Sequence, residues 1–288
     1  MRGRLKVVCA LCLCGGAVVD SGGVRGKATL RFVTVGDWGV NGSTHSKASE
    51  TMVRVAGSMD AYARALDVGF VMALGDNFLE GAGPGGVASA SDGLWDASWR
   101  TPWLRENGTA LSGLPWYAVL GEVDYGHGVE GALAQTRREW ETWDDEWRLP
   151  APTYTIKRHL SDLCEIAFVF IDTSALDPLA SPTTAPLFNA SDVGARLTAV
   201  DAALARAAET ADWLFVAGHY PVRSVGEHGD DQELVALLEP LLLARGADAY
   251  LSAHDATLQR STARAALESS TTRHVEGGRT PFRAIGGV

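Results

Sequence analysis

Short apolar runs rich in β-branched residues recur along the chain, and each stops at a small residue followed by a polar one. They are Arg31–Asp37 (RFVTVGD), Phe70–Asp76 (FVMALGD), Trp116–Glu122 (WYAVLGE), Ile166–Asp172 (IAFVFID), Trp213–His219 (WLFVAGH) and Ala249–His254 (AYLSAH). Continuous runs of this length predict strands buried on both faces. Between them the apolar positions change period. Met52, Val55, Met59, Ala63 and Leu66 recur at helical steps, as do Val193, Leu197, Val200, Leu204 and Ala207, and Leu234, Leu237, Leu238, Leu241 and Leu242.

Strands alternating with helices predict an α/β architecture. Residues 80–93, rich in Gly, Ala and Ser, and 174–192, rich in Pro, Thr and Ser, read as surface loops. Nothing divides the strand series, so one domain is expected from about residue 29 to the end.

The first residues follow a different pattern. Arg2, Arg4 and Lys6 precede an uncharged apolar run, Val7 to Val19, and then Asp20-Ser21-Gly22-Gly23. That is the pattern of a signal peptide over 1–23, and no later run is long enough for a transmembrane anchor. Cleavage would remove Cys9, Cys12 and Cys14 and leave Cys164 alone, so no internal disulfide is expected. Three of the four asparagines, Asn41, Asn107 and Asn189, begin Asn-X-Ser/Thr sequons. A glycoprotein of the secretory pathway, secreted or lumenal, is the expectation. The net charge of −10, with no basic stripe, argues against nucleic acid or anionic membrane as a main partner.

In an α/β sheet the carboxyl ends of the strands gather at one edge, where sites form. That edge would collect Asp37, Asp76, Glu122, His219 and His254. Carboxylates mixed with imidazoles suit Zn, Mn or Fe. A glycine before four of these residues is expected to let the backbone turn towards a shared centre. A metal so placed supplies a Lewis acid and a hydroxide for phosphate-ester hydrolysis. Asp172, followed by Thr and Ser, reads instead as a turn or cap.

From about Arg31 to Gln259 the sequence resembles the purple acid phosphatases of the tartrate-resistant type, within the calcineurin-like metallophosphoesterases. The landmarks are Gly36-Asp37-Trp38-Gly39, Gly75-Asp76-Asn77-Phe78, Gly121-Glu122-Val123-Asp124, Ala217-Gly218-His219-Tyr220-Pro221-Val222, Glu227-His228-Gly229 and Ala253-His254-Asp255-Ala256. The resemblance implies a four-layer α/β sandwich, two stacked mixed β-sheets flanked by helices, with two metals among the strand-end loops. It also implies that the pattern continues past Arg283 through further strands, which leaves open whether a domain over 29–288 ends at Val288 or is truncated there.

The departures from that family are chemical. Leu79 stands where the resemblance implies a tyrosine ligand, and Ala256 where it implies a histidine ligand, so one metal site keeps only Asp37 and Asp76. The other site keeps its set as Asp76, Glu122, His219 and His254, with Glu122 in place of an asparagine. Val123 replaces a phosphate-contacting histidine, whereas His228 matches the second outer histidine and is the one expected catalytic residue. His127, four residues past Val123, offers a substitute that could reach back. Asp124 and Asp255 are expected to orient their neighbours.

The expectation is therefore a metallophosphoesterase domain with one divalent metal, Zn, Mn or Fe, and no full dinuclear centre. Its phosphatase activity would be weak or lost, and its role binding or scaffolding with a protein partner. The alternative is an active secreted acid phosphatase, with a mononuclear or rearranged site, acting on phosphate esters. A structural glycoprotein without metal is the third reading. Glideosome-associated proteins of apicomplexan parasites resemble the same family and serve as membrane anchors, but an anchor of that kind carries a transmembrane segment that this chain is not expected to have.

Overall fold

Along the strand Cys164–Phe170 and its continuation, alternate residues face two different apolar clusters. Ile166, Phe168 and Phe170 join one, and Ala167, Val169 and Ile171 the other. A strand apolar on both faces must be covered on both, and that dictates layers. The computed structural model describes residues 9–14, 19–20, 23–24, 29–39, 50–79, 84–104, 108–142, 145–162, 164–255, 257–262 and 283–286.

The first sheet contains β1 (Cys9–Cys14), and β2 (Val19–Asp20) and β3 (Gly23–Val24) form a separate small ladder. It continues with β4 (Thr29–Val35), β5 (Phe70–Leu74), β6 (Trp116–Val119) and β7 (Trp147–Arg148), in the order β1-β4-β5-β6-β7. Strands β4 to β7 run parallel, and β1 lies antiparallel on the β4 edge. The second sheet is built from β8 (Tyr154–Ser161), β9 (Cys164–Phe170), β10 (Trp213–Ala217), β11 (Ala249–Ser252), β12 (Gln259–Thr262) and β13 (Arg283–Gly286). Its order is β12-β13-β11-β10-β9-β8, parallel from β9 to β13 with antiparallel strands at both edges. Both sheets are mixed, as the resemblance implies.

Between the sheets, Phe32 stacks on its register partner Phe70 with centroids 4.9 Å apart, and Phe168 meets both edge-on at 5.4 Å. Helix α1 (Glu50–Leu66) buries Met52, Ala56, Met59 and Ala63 on the outer side of the first sheet. Helices α3 (Val193–Ala208) and α4 (Gln232–Ala244) cover the second with Val200, Leu204, Leu234, Leu238 and Leu242. The Asp231 carboxylate caps α4, accepting from Leu234 N at 2.8 Å. The four-layer α/β sandwich follows from these faces.

Several elements differ from the sequence expectation. Helix α2 (Gly128–Thr142) carries no leucine repeat, because it packs through Ala132 and Ala134 together with the buried polar residues Gln135 and Arg138. A π-helical segment, Trp95–Leu104, for which the sequence pattern predicts no element, presents Trp95, Trp99 and Trp103 to the core. The two segments read as surface loops are partly interior. Val87 and Ala90 are buried in the first, and Leu176 and Thr184 in the second, where the Thr184 hydroxyl donates to Pro178 O at 2.8 Å. The signal peptide expected over 1–23 is not one of these differences: residues 9–14 and 19–20 lie in β1 and β2, Gly23 in β3, and residues 1–8, 15–18 and 21–22 lie outside the described residues. Among the described residues no helix is long and apolar enough to cross a membrane.

Candidate metal centre

The strand ends deliver their polar residues to one place. Asp37 follows β4, Asp76 follows β5, Glu122 follows β6, His219 follows β10 and His254 follows β11. Both sheets therefore point the carboxyl ends of parallel strands at the same rim. The turns are made only in part as the sequence predicts. Asp37, Asp76 and His254 themselves adopt left-handed backbone, with φ of 53°, 51° and 66°. Non-glycine residues take this conformation rarely and at a cost, so the surrounding fold must hold them there. Of the four preceding glycines Gly75 does turn the backbone as expected, with φ +89°, while Gly36, Gly121 and Gly218 serve close approach. A Cβ on Gly75 would sit 2.6 Å from His219 Nδ1, and one on Gly121 would sit 2.2 Å from Asp76 Oδ1.

His219 is fully buried at the centre of the group. Its Nδ1 lies 2.8 Å from Leu74 O, and because a carbonyl only accepts, Nδ1 carries the proton. Its Nε2 is then left with a lone pair, 2.9 Å from Glu122 Oε2, 3.5 Å from Asp76 Oδ1 and 4.0 Å from Asp37 Oδ1. The second oxygen of Glu122 lies 3.1 Å from His254 Nδ1.

Neither His219 Nε2 nor Glu122 Oε2 has a hydrogen-bond partner, although both atoms are buried. Two lone-pair atoms 2.9 Å apart in a dry site repel unless a cation, a proton or a metal ion, lies where they converge. The charge balance says the same. Burial opposes the imidazolium of His219, but the Asp76 and Glu122 carboxylates raise its pKa well above the usual histidine value. Burial would likewise raise Glu122, yet His219 and His254 hold it well below the ordinary carboxylate range. The donor set and its orphaned atoms fit a divalent metal.

The candidate ligands form two overlapping groups that share His219. Atoms of Glu122, His219 and His254 lie within 4.8 Å of one another, as do those of Asp37, Asp76 and His219. Not all of this oxygen is free. Asp37 Oδ2 accepts from His254 N at 3.1 Å, and Asp76 Oδ1 accepts from Val123 N at 2.9 Å.

His228 stands exposed at the mouth, its ring 4.4 Å from that of His254. Asp255 holds its loop by accepting from the Ser224 hydroxyl and from Glu227 N. His228, His254 and Tyr220 line part of a cavity of about 420 Å³.

Leu79 and Val123 are half-buried and offer no ligand atom; Val123 Cγ1 occupies the space a side chain on Gly85 would need. Ala256 lies outside the described residues. His127 is exposed at the turn before α2, packed on Gly131. Asp172 behaves as a turn residue, accepting from Ala175 N at 3.3 Å and also from the Tyr125 hydroxyl.

Asp124 is fully buried and is the acceptor hub behind the site, taking Gly121 N at 2.8 Å and Asn77 N at 3.1 Å. Burial and the nearby Asp76 push its pKa up to about 7, against the pull of its Gly121 and Gln135 donors. Gln135 is the one member of this network that sequence reasoning missed. A lone glutamine in a polar-looking helix carries no motif.

Comparison with known proteins agrees with this geometry. Residues 30–258 match the calcineurin-like phosphoesterase family. Tartrate-resistant acid phosphatase type 5 of Oryctolagus cuniculus is 32% identical over 239 residues, covering 80% of this chain and 68% of the relative. Purple acid phosphatase 3 of Arabidopsis thaliana is 30% identical over 241 residues, or 80% of this chain and 58% of the relative. Among solved structures, GAP50, described as the anchor in the inner membrane complex of Plasmodium, superposes with a TM-score of 0.68. It is 23% identical, with 89% of this chain and 70% of that one covered, so it speaks for the fold alone. Fold, strand-end chemistry and sequence converge: the chain belongs to the calcineurin-like phosphoesterase family, with relatives of the tartrate-resistant purple acid phosphatase type.

Proposed function

We propose that this chain holds a single divalent metal ion at Asp76, Glu122, His219 and His254, has weak or no phosphatase activity, and acts as a binding or scaffold protein. The observation that carries the reading is the convergence of His219 Nε2 and Glu122 Oε2 at 2.9 Å with no hydrogen bond for either. A divalent cation there supplies a Lewis acid for a phosphoryl oxygen. Leu74 O fixes the tautomer of His219, Glu122 spans both imidazoles, and His228 stands at the mouth to meet an incoming phosphate. Leu79 and Ala256 offer no ligand atom where the resemblance implies a tyrosine and a histidine, and Val123 presents a hydrocarbon where it implies a histidine.

Efficient two-metal hydrolysis clamps both the attacking and the leaving oxygen. If each loss removes about 2–3 kcal/mol of transition-state stabilisation, the three together lower the rate by several orders of magnitude. Assaying the mature protein with p-nitrophenyl phosphate, at acid and neutral pH with added Zn, Mn or Fe, tests this. Turnover within tenfold of an ordinary acid phosphatase overturns it.

One observation favours the alternative of an active phosphatase with a rearranged site: Asp37, Asp76 and His219 make a second triad within ligand reach. The Plasmodium neighbour's description as an anchor supports only that this fold is compatible with such a role.

We also assign the chain to the secretory pathway, secreted or lumenal. Asn189 supports that reading: it is exposed on extended backbone, with φ −83° and ψ 133°, and its side chain makes no cap hydrogen bond. Asn41 and Asn107 lie outside the described residues. Glycosidase treatment of protein from a eukaryotic secretory host should lower its mass, by less in Asn189→Gln. Unchanged mass in the wild type would argue against this compartment.

A further inference from the structure

Gln135 sits on α2 with no exposed surface, in a closed ring of polar groups behind the metal half-site. Its Nε2 donates to Asp124 Oδ1 at 2.8 Å, and its Oε1 accepts from Asn77 Nδ2 at 3.2 Å. Asn77 Nδ2 also donates to Val119 O at 2.8 Å, and Asp124 Oδ2 accepts from Gly121 N at 2.8 Å. Asn77, Asp124 and Gln135 are each 0% exposed, so solvent has no access to replace a lost partner.

The position of the ring matters more than its strength. Asn77 directly follows Asp76, and Gly121 directly precedes Glu122. The ring therefore ties the turn after β5 to the turn after β6, and these two turns carry the two carboxylates nearest His219 Nε2. Both carboxylate oxygens of Asp124 are engaged in this tie.

We propose that Gln135 is a positioning residue for the metal half-site: from α2 it fixes the separation of the Asp76 and Glu122 turns, and so sets metal affinity without touching the metal. This inference rests on the one-metal reading above. Both ends of the amide are used: an apolar residue of similar size would leave Asp124 Oδ1 with only Asn77 N at 3.1 Å and take away one of the three acceptors that hold Asn77 Nδ2. Groups that support metal ligands in this way commonly change affinity about 10–100-fold when removed.

The test compares wild type with Gln135→Leu, with the more flexible Gln135→Met, and with Leu204→Ala as a control in the separate core beneath α3. Zn²⁺ affinity is measured by competition with a chromophoric chelator, and site geometry by the visible spectrum of the Co²⁺ form. Circular dichroism confirms the fold, and Gln135→Met stands in if Gln135→Leu does not fold. The expected result is about tenfold or more weaker Zn²⁺ binding and an altered Co²⁺ spectrum in the Gln135 variants. Leu204→Ala should lower the melting temperature while leaving both readouts unchanged. Gln135 variants no different from that control overturn the positioning role alone. A wild type that takes up no Zn²⁺ overturns the half-site reading itself, and this inference with it.

Discussion

Glu122 is the residue on which the site turns. It is a carboxylate between two imidazoles, with one oxygen 2.9 Å from His219 Nε2 and the other 3.1 Å from His254 Nδ1. In the proposed site its charge would strengthen the hold on a divalent cation and weaken the cation as a Lewis acid, a trade that would favour retention over turnover. Glu122→Asn should therefore weaken Zn²⁺ binding by about tenfold or more in chelator competition, since it removes a full charge from a buried site. Equal affinity would show that the charge plays no part.

A second residue-scale prediction concerns Asp172, whose pKa burial raises to about 6 although Tyr125 donates to it. A carboxyl raised in the folded state contributes stability that is fully present below about pH 4 and is lost as pH rises through about 6. The span corresponds to about 3 kcal/mol at most. Urea unfolding at pH 4, 5, 6 and 7 should show a shallower decline for Asp172→Asn than for wild type, and identical slopes would refute this assignment. The five strand-end residues were legible in the sequence because each stands at the abrupt end of an apolar run. Gln135 was not, since nothing in the local pattern of α2 distinguishes a buried glutamine from a solvated one.

At the scale of elements, what could be read depended on whether a segment buries a continuous apolar face. The runs from Phe70, Trp116 and Trp213 became β5, β6 and β10 with little change, and the repeats at Met52, Val200 and Leu234 became α1, α3 and α4. Helix α2 and the segment Trp95–Leu104 were not foreseen. The first packs through alanines and satisfied polar groups, and the second places a tryptophan every fourth residue in chain otherwise rich in polar residues.

The strand-end turns are where local backbone and site chemistry meet. Gly75 has φ +89°, and a side chain there would collide with the His219 ring. Gly75→Ala should lower stability by about 2–3 kcal/mol or more and weaken metal binding in the same variant. Thermal unfolding and chelator competition measure the two effects. An alanine variant that loses neither would mean that His219 does not depend on this contact.

For the whole molecule, two apolar clusters, one running from α1 through the space between the sheets and one beneath α3 and α4, make up the packed frame. A frame packed in this way would let the family fold persist if, as proposed, one of its two metal sites is lost. The central claim is a count of metal ions. The most direct test is elemental analysis of the purified protein after equilibration with Zn²⁺ and removal of excess, for wild type and for His219→Ala. We predict one equivalent in the wild type and none in His219→Ala; two equivalents in the wild type, or none, would contradict the account.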